Sequence, residues 1–353
     1  MSGGGVERRP DLWYNGREKA FARTVRAVST RDRVLALPER HRGRSVSGEA
    51  MAAELDISRA AVWKAVQELR GAGYRILAVN RKGYCLSEEN DILSSPGIRQ
   101  YLNEGALAYA DRISVYPALP STNQTAKELA LAGAPHGTAV IADAQTAGHG
   151  RYARPFFSPA GGGLYISLIL RPEALPWKNP TLITAFAAVA VCRAIEAVSD
   201  RRPGIKWVND VLIDGKKAAG ILTEAAADFE SGALSWIVLG VGVNVRVAPG
   251  EFPEELRDTA VSVFPDGAAS GVRNRLAAAL LNGILGGPLP GERDVLSAYK
   301  SRLTMLGREV TVFRGGESFS AFAQDIDGQG RLIVRTAAGE TLALTAGEIS
   351  VRG

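Results

Sequence analysis

Residues 206–222 have the sequence KWVNDVLIDGKKAAGIL, in which two apolar runs flank the turn segment DGKK at 214–217. This pattern predicts a β-hairpin. Side chains two apart along a strand share a face, so Lys206 and Asp210 are predicted to lie together on a mostly apolar strand. Because an unpaired buried charge is costly, both need partners. Either they form an ion pair with each other, or Lys206 binds a carboxylate or phosphate while Asn209 or Asp210 helps to hold Mg²⁺.

The chain on either side of this hairpin divides into units of different secondary structure. Strand and helix patterns alternate over about residues 110–303, which predicts an α/β domain, and a linker helix is predicted at 94–105. Short, closely spaced strand patterns after about residue 305 predict a small all-β barrel. The expected parts are a basic, poorly ordered extension at 1–28, a helical unit with two strands at 29–88, the α/β domain at 89–304 and the barrel at 305–353.

Composition is typical of a globular protein. The 353 residues correspond to two or three domains, and 46% hydrophobic with 22% charged residues excludes wholesale disorder or a collagen-like fibre. The net charge of +5 fits a nucleic acid or an anionic small molecule as partner. Cys85 and Cys192 provide neither a disulfide framework nor zinc-site spacing, so a reducing cytoplasm is expected. Neither a long apolar run nor a signal-peptide pattern occurs, so no membrane association or secretion is expected.

Residues 29–88 show the order of a winged helix-turn-helix, in which a helix, a tight turn, a capped second helix and two strands follow one another. The second helix of this motif lies in the DNA major groove, and the wing contacts phosphates. Trp63 is expected to pack inside. Such units also serve as dimerisation or peptide-docking modules, and that alternative stays open. The residues predicted to contact DNA are Ser47, Ser58, Arg59, Lys64, Gln67, Arg70, Arg81 and Lys82.

A glycine-rich loop, GHGRYAR at 148–154, lies between two predicted strands. Glycine lets the backbone approach an anion closely, and successive backbone amides can form a concave anion site. Arg151 and Arg154 add donors that match phosphate or carboxylate. The loop has neither the Walker A nor the Rossmann pattern, which disfavours an ordinary P-loop NTPase or a dehydrogenase.

Five segments occur in the order and spacing of one family: STNQ at 121–124, QTAGHGR at 145–151, KWVND at 206–210, KAAGIL at 217–222 and GVGVN at 240–244. Together they resemble the biotin protein ligase family. The N-terminal unit and the C-terminal strands resemble its bifunctional members, the biotin operon repressors. Only about residues 1–28 lie outside the resemblance.

The resemblance implies a winged helix-turn-helix, a central mixed-sheet ligase domain and a small SH3-like β-barrel. It also implies a two-step reaction, in which biotin and ATP give biotinyl-5′-AMP and a lysine of a biotin carboxyl carrier domain then takes the biotin. Mg²⁺ is the implied cofactor. Further implied partners are the operator DNA of biotin genes and, when ligand is bound, a second copy of the chain.

The family's site residues carry over to matching positions. The implied catalytic residues are Arg151 and Lys206, and Asp210 is the candidate Mg²⁺ ligand. The implied biotin-binding residues are Ser121, Thr122, Asn123, Gln145, His149, Gly150, Arg151, Lys206 and Gly220. The implied ATP- or phosphate-binding residues are Gly148, Gly150, Arg151, Arg154, Asn209, Lys217 and Asn244.

Four positions depart from the family pattern in this loop region: His149 and Tyr152 where Arg or another basic residue is usual, Ala153 for Gly, and Phe156 for Trp. Because Arg151 and Lys206 are present, activity is expected to survive. Two alternatives remain: a non-catalytic biotin sensor that controls DNA binding, and a lipoate-type ligase.

Overall fold

A computed structural model describes residues 29–177, 179–227, 233–267, 271–314, 317–345 and 348–351. The strands within these ranges form a three-stranded, a seven-stranded and a five-stranded sheet. The extension predicted at 1–28 lies outside the described residues. The domain bounds given above stay a prediction.

The N-terminal unit is a winged helix-turn-helix, as predicted. Its elements are α1 (Thr30–Arg40), β1 (Ser45–Val46), α2 (Gly48–Leu55), α3 (Arg59–Gly71), β2 (Ile76–Val79) and β3 (Gly83–Leu86). Ser47 Oγ accepts from the Ala50 amide at 2.9 Å, and Ser58 Oγ accepts from the Ala61 amide at 3.1 Å. Each serine therefore caps a helix by satisfying an amide of its first turn. The sequence pattern did not predict β1, which joins the wing in the order β1-β3-β2.

An apolar stripe along α3 holds these helices together. Val62, Val66 and Leu69 are each only 1% exposed, and they share one core cluster with Leu35 of α1 and Met51 of α2. Their i, i+4, i+7 spacing places them on one helix face. Burial of a Val or Leu side chain contributes about 1.5–3 kcal/mol to folding stability. The buried face therefore fixes which side chains of α3 point to solvent.

The linker contains two short helices, α4 (Ser95–Arg99) and α5 (Glu104–Leu107), where one helix was predicted. Asn274 and Asn282 of the central-domain helix α8 (Val272–Leu285) each hold the linker by two side-chain hydrogen bonds. These bonds join Asn274 to the Ser94 amide at 3.1 Å and the Ile92 carbonyl at 2.9 Å, and Asn282 to the Asn103 amide and the Tyr101 carbonyl, both at 2.9 Å. The linker is therefore fixed along α8.

The central domain is built on a mixed sheet with the order β4-β5-β6-β10-β9-β8-β7. Its strands are β4 (Ile113–Tyr116), β5 (Thr138–Ala142), β6 (Gly163–Leu170), β7 (Gly204–Lys206), β8 (Asp210–Ile213), β9 (Lys216–Ala227) and β10 (Leu234–Asn244). The β4–β5 pair is parallel, whereas the pairs from β5 to β7 along this order are antiparallel. This arrangement confirms the predicted mixed-sheet ligase fold.

Helices cover both faces of this sheet. Helix α6 (Thr122–Leu131) lies on one face, and α7 (Pro180–Val198), α8 and α9 (Glu292–Lys300) belong to the other. Side chains of β5 alternate accordingly: Val140 packs in the cluster of α6, whereas Ala139 and Ile141 belong to the main core with α7 and α8. The period of two in a strand produces this division.

Helix α7 is long and apolar enough to cross a membrane by length and composition alone. Its residues are buried almost throughout 182–195, where they pack in the main core of the protein. It is therefore a core helix, as its packing against α8, α9 and β9 indicates.

The prediction that KWVND forms one strand is wrong, because β7 ends at Lys206 and β8 begins at Asp210. Residues 207–209 form a tight turn, and Lys206 lies directly opposite Asp210 in the β7–β8 pair. Bonds to other elements hold the turn: Trp207 Nε1 donates to the Gly330 carbonyl at 3.0 Å, and Asn209 Nδ2 donates to the Ile221 carbonyl at 3.0 Å. The predicted β8–β9 hairpin is present.

The C-terminal strands form the antiparallel sheet of the predicted small barrel, in the order β14-β13-β12-β11-β15. They are β11 (Glu309–Arg314), β12 (Glu317–Ile326), β13 (Leu332–Thr336), β14 (Thr341–Leu344) and β15 (Glu348–Val351). Alternate residues such as Val310 and Val312 are fully buried in the main core. The C-terminal sheet therefore shares its core with the central domain.

Arg273 of α8 is the centre of a buried ion-pair network between the linker and the sheet. It is 3% exposed, and its Nε donates to Asp91 Oδ2 at 2.9 Å while Nη1 contacts Asp143. Arg246 brings a second cation to Asp91, with a distance of 3.1 Å between Nη1 and Oδ2. The other oxygen of Asp143 accepts from the Gly161 amide at 3.2 Å. The network therefore connects the linker, α8, the end of β5 and a loop before β6.

We expect Arg273→Met to destabilise the protein by about 3 kcal/mol, because it leaves the buried Asp91 carboxylate with fewer partners. Arg99→Met is the matched control, because its ion pair with Asp111 is exposed and such pairs contribute about 0–1 kcal/mol. Urea unfolding followed by circular dichroism measures both. Equal losses in the two variants would contradict the structural role of Arg273.

Candidate active site

A cleft of about 240 Å³ opens against β9 and β10 of the central sheet. Its lining comes from the start of α6, the loop 145–156, the β7–β8 turn, β9, β10 and Phe313 of β11. Of the residues predicted to bind biotin, nucleotide or metal, those lining the cleft are Ser121, Thr122, Asn123, Gln145, His149, Gly150, Arg151, Arg154, Lys206, Asn209, Asp210, Lys217 and Gly220. Folding therefore brings residues from all five sequence segments to one cleft.

The floor of the cleft is a hydrogen-bonded set of short polar side chains. Gln145 Oε1 accepts from the Thr122 amide at 2.8 Å and from Thr122 Oγ1 at 3.1 Å. Ser167 Oγ lies 2.8 Å from Thr122 Oγ1 and 2.5 Å from Asn123 Oδ1. Ser167 is fully buried on β6, and no motif in the sequence pointed to it. We refer to Thr122, Asn123, Gln145 and Ser167 as the polar floor.

Glycines of β10 make room for this floor. A Cβ atom on Gly240 would lie 2.1 Å from Asn123 Oδ1, and one on Gly242 would lie 2.6 Å from Phe156 Cε1. Real Cβ atoms do not approach other atoms this closely, so only glycine fits without a shift. The strand backbone thus forms the bottom of the site, with Asn123 and the Phe156 ring resting against it.

Four cationic side chains also line the cleft and are referred to as its cationic side: Arg151, Arg154, Lys206 and Lys217. Arg151 Nη1 donates to Asn209 Oδ1 at 3.2 Å, and its guanidinium lies 5.2 Å from the centre of the Tyr152 ring. Asp210 Oδ1 is 2.7 Å from the Lys217 ammonium, so the interpretation that Asp210 pairs with Lys206 is wrong. The turn at 207–209 places Lys206 opposite Asp210 on paired strands, yet the Asp210 carboxylate pairs with Lys217 of β9. Within the described residues the Lys206 ammonium has no acidic partner.

The departures from the family pattern fit the loop without removing Arg151. Tyr152 and Ala153 have φ angles of 57° and 55°, a left-handed conformation that glycine adopts more readily than alanine. Tyr152 is 64% exposed, and its hydroxyl accepts from Arg151 Nη2 at 3.3 Å. His149 lines the cleft, and its Nδ1 lies 3.3 Å from the Ala147 carbonyl.

Gly148 and Asn244, predicted to bind nucleotide, lie outside the cleft lining. A Cβ on Gly148 would lie 2.7 Å from Gln145 Nε2, so this glycine lets the loop pass close to the polar floor. Asn244 Nδ2 donates to the Lys217 carbonyl at 3.4 Å and to the Val261 carbonyl at 3.3 Å. Both residues support neighbouring backbone in the structure.

The winged helix presents part of the predicted DNA-binding set to solvent. Arg59, Lys64, Arg81 and Lys82 are exposed, as are Ser47 and Ser58, whose hydroxyls cap α2 and α3. Gln67 is half-buried. Arg70 is also half-buried, and its Nε donates to the Ile76 carbonyl at 2.8 Å, which ties α3 to the wing instead of leaving the guanidinium free.

The prediction that Trp63 packs inside is wrong, because this side chain is 59% exposed. Val62 and Val66 occupy the buried face of α3. Position 63 follows Val62 by about 100° around the helix and so leaves that face. The amphipathic period therefore decides the placement of this aromatic residue.

Three family models match the chain in sequence order. An HTH domain matches residues 30–85, the Biotin/lipoate A/B protein ligase family matches residues 115–244, and the Biotin protein ligase C terminal domain matches residues 305–352. Together with the fold and the cleft, these matches define a class of protein in which a helix-turn-helix unit is joined to a biotin/lipoate-type ligase domain.

The chain is 32% identical over 312 residues to the bifunctional ligase/repressor BirA of Escherichia coli (strain K12), covering 87% of this chain and 92% of the relative. It is 44% identical over 218 residues to BirA of Bacillus subtilis (strain 168), covering 62% of this chain and 66% of the relative. Biotin protein ligase from Aquifex aeolicus in complex with biotin and ATP has a TM-score of 0.54 and 25% identity, covering 68% of this chain and 98% of that one. The chain belongs to the bifunctional biotin protein ligase and repressor family.

We expect Gly240→Ala to destabilise the protein by about 1–3 kcal/mol, because the new methyl group displaces the Asn123 side chain. Gly250→Ala is the matched control, since a Cβ atom at that position would meet no other atom within 4 Å. Thermal unfolding of both variants is the measurement. A melting temperature of Gly240→Ala equal to that of the control would show that the polar floor adapts freely.

Proposed function

We propose that this protein is an ATP-dependent biotin protein ligase that also represses transcription. It forms biotinyl-5′-AMP and transfers biotin to a lysine of a biotin carboxyl carrier domain. The observation that carries this proposal is the cleft itself, in which a polar floor and a group of cationic side chains face one space. Membership of a family whose relatives are named bifunctional ligase/repressor supports both roles.

The polar floor suits the bicyclic head of biotin. The ureido group of biotin offers N–H donors and a carbonyl acceptor, which hydroxyl and amide side chains can match. Ser121, Thr122, Asn123 and Gln145 supply such groups in the cleft. Ligand pockets commonly combine apolar walls with a few polar groups that fix orientation, and Phe156 and Leu222 provide apolar wall here.

The cationic side suits the first chemical step. A carboxylate oxygen of biotin attacks the α-phosphorus of ATP, a new O–P bond forms, the bond to the β-phosphate breaks and pyrophosphate leaves. The reactants are both anions, so their repulsion must be offset where charge develops. We assign this role to Lys206 and Arg151, with Arg154 and Lys217 as further phosphate-binding groups.

The second step requires no nucleophilic side chain of the ligase. The amine of the acceptor lysine attacks the acyl carbon of the adenylate, an amide bond forms and AMP leaves. Of the described residues that line the cleft, none is a cysteine. Burial raises the pKa of Cys192 to about 12, so this core thiol stays protonated at neutral pH.

The site also fits a Mg²⁺ ion brought in with the nucleotide. Magnesium usually binds one or two carboxylates together with substrate phosphates. Among the described residues, Asp210 Oδ1 is buried without a hydrogen bond and lies 2.7 Å from the Lys217 ammonium, and the preceding residue, Asn209, carries an amide oxygen that accepts from Arg151. Asp210 with Asn209 would hold the ion, which would neutralise phosphate charge during the reaction.

The DNA-binding role rests on the winged helix, with Arg59, Lys64, Arg81 and Lys82 as the exposed basic contacts to operator DNA. One winged helix reads a short half-site, so tight binding requires two copies arranged with two-fold symmetry. We propose that the protein forms a homodimer when adenylate is bound. We also propose that it is cytoplasmic.

The direct assay combines the protein with ATP, Mg²⁺, biotin and a biotin carrier domain, followed by streptavidin blotting. We expect labelling of the carrier that depends on each component. Binding of biotin without transfer would favour the non-catalytic sensor, and transfer of lipoate in place of biotin would favour the lipoate-type ligase.

We expect Lys206→Ala to lower the rate of adenylate formation by a factor on the order of 10²–10³, because a fixed positive charge at the reacting centre is lost. Lys216→Ala is the matched control. Lys216 adjoins Lys217 in sequence but lies outside the cleft lining, and its ammonium donates to the Arg257 carbonyl at 3.3 Å. Pyrophosphate release measures the step. A near wild-type rate in Lys206→Ala would remove Lys206 from the reaction.

We expect biotin with ATP to strengthen homodimer formation, because the adenylate would order the loops at 148–154 and 161–163 and so make a surface available for pairing. By linkage, a ligand that favours the dimer binds the dimer more tightly. Sedimentation velocity at several protein concentrations, with and without ligands, tests this. An association constant that does not change with ligand would rule out the coupling, while leaving the ligase role intact.

A further inference from the structure

Glu224 lies on β9 next to the polar floor but is not among the residues that line the cleft. Its Oε2 accepts from Asn123 Nδ2 at 2.8 Å, and its Oε1 accepts from the Lys127 ammonium at 3.0 Å. The Glu224 and Lys127 side chains are 28% and 23% exposed, so the pair lies at the border between solvent and the floor. Glu224 therefore contacts the polar floor through Asn123, from outside the cleft lining.

A carboxylate accepts hydrogen bonds and donates none, which fixes the orientation of the amide it contacts. The NH₂ group of Asn123 must point to Glu224, so Asn123 Oδ1 points to Ser167. The single hydroxyl proton of Ser167 then goes to Asn123 Oδ1, the nearer of its two acceptors at 2.5 Å. Thr122 donates its own hydroxyl proton to Gln145 Oε1 at 3.1 Å, so Glu224 sets the polarity of Asn123 and Ser167.

The charge of Glu224 is maintained by its surroundings. Burial alone raises the pKa of this carboxyl, but the hydrogen bonds from Asn123 and Lys127 and the nearby charge of Lys127 together lower it below its ordinary value. Glu224 is therefore an ionised acceptor at neutral pH. Lys127 occupies one of its oxygens and leaves the other for Asn123.

We infer that Glu224 is a positioning residue for biotin, acting through Asn123. It fixes which groups of Asn123 and Ser167 donate and which accept, and so matches this part of the polar floor to the ureido ring. This inference rests on the proposed ligase function. It predicts an effect on biotin binding, because the hydrogen bonds that the structure describes for the Glu224 side chain come from Asn123 and Lys127 and not from Arg151 or Lys206.

Glu224→Gln is the informative substitution, because it keeps the size of the side chain while it removes the charge and replaces one acceptor oxygen by an NH₂ donor. The Lys127 ammonium attracts the new amide oxygen, so the new NH₂ group faces the NH₂ group of Asn123. Asn123 must then flip or lose its bond to position 224, which leaves its NH₂ group with the Leu222 carbonyl at 3.5 Å as its described acceptor. Loss of a buried hydrogen-bond partner of this kind costs enough free energy for a change of roughly tenfold in binding.

Lys127→Met and the double variant Lys127→Met/Glu224→Gln complete a double-mutant cycle. Lys127→Met leaves the Glu224–Asn123 bond in place, so it serves as the control. In the double variant no ammonium holds the glutamine oxygen, and the amide can turn that oxygen to Asn123. The second substitution is therefore expected to reverse most of the effect of the first, which a merely structural role would not do.

Steady-state adenylation, followed by pyrophosphate release, gives KM for biotin, KM for ATP and kcat of each variant. We expect Glu224→Gln to raise KM for biotin about tenfold, and to do the same for desthiobiotin, which keeps the ureido ring. KM for ATP and the melting temperature should change little. In Lys127→Met and in the double variant, KM for biotin should lie within about threefold of wild type.

An unchanged KM for biotin in Glu224→Gln would overturn the inference, as would a double variant as impaired as the single one. If Glu224→Gln does not fold, the double variant compared with Lys127→Met provides the same test, and a tenfold higher KM in the double variant overturns it. Failure of the wild-type protein to form adenylate would instead overturn the proposed function.

Discussion

The close approach of β10 to Asn123 is the constraint on which the rest of the site depends. At Gly240 the strand has no side chain, and the amide of Asn123 occupies that space. Asn123 in turn bonds to Ser167 on one side and Glu224 on the other, so three neighbouring strands and α6 meet at one buried amide. The polar floor is therefore rigid before any ligand arrives, which reduces the ordering cost of binding.

Much of the fold could be predicted from the sequence by local rules, whereas most of the candidate site residues followed from the resemblance of five segments to one family. Ser47 and Ser58 cap helices by their own chemistry, and the five motif segments carry the cleft residues. The KWVND segment was assigned to one strand because its turn depends on distant partners, such as the Gly330 carbonyl that accepts from Trp207. Ser167 could not be identified from the sequence, because it is a lone serine in an apolar strand. Its role depends on its contacts with Thr122 and Asn123, which exist only once α6 packs on the sheet.

The winged helix and the central domain are joined through buried or half-buried polar groups of the linker. Asp91 of the linker contacts Arg273, and Arg273 contacts Asp143, which lies two residues before Gln145 of the polar floor. Arg42 of the winged helix bonds to the Asn90 carbonyl at 2.7 Å, next to Asp91. A continuous set of contacts thus runs from the DNA-binding unit to the edge of the cleft, with every group buried or half-buried.

Adenylation at the cleft is the central chemical claim, and biotin-dependent exchange of labelled pyrophosphate into ATP tests it most directly. The exchange needs no acceptor protein, no DNA and no dimer, so it isolates the step assigned to the polar floor and to Lys206. We expect label to enter ATP only when biotin is present. Tight binding of biotin with no exchange above the biotin-free background would contradict adenylation and leave the cleft as a binding site alone.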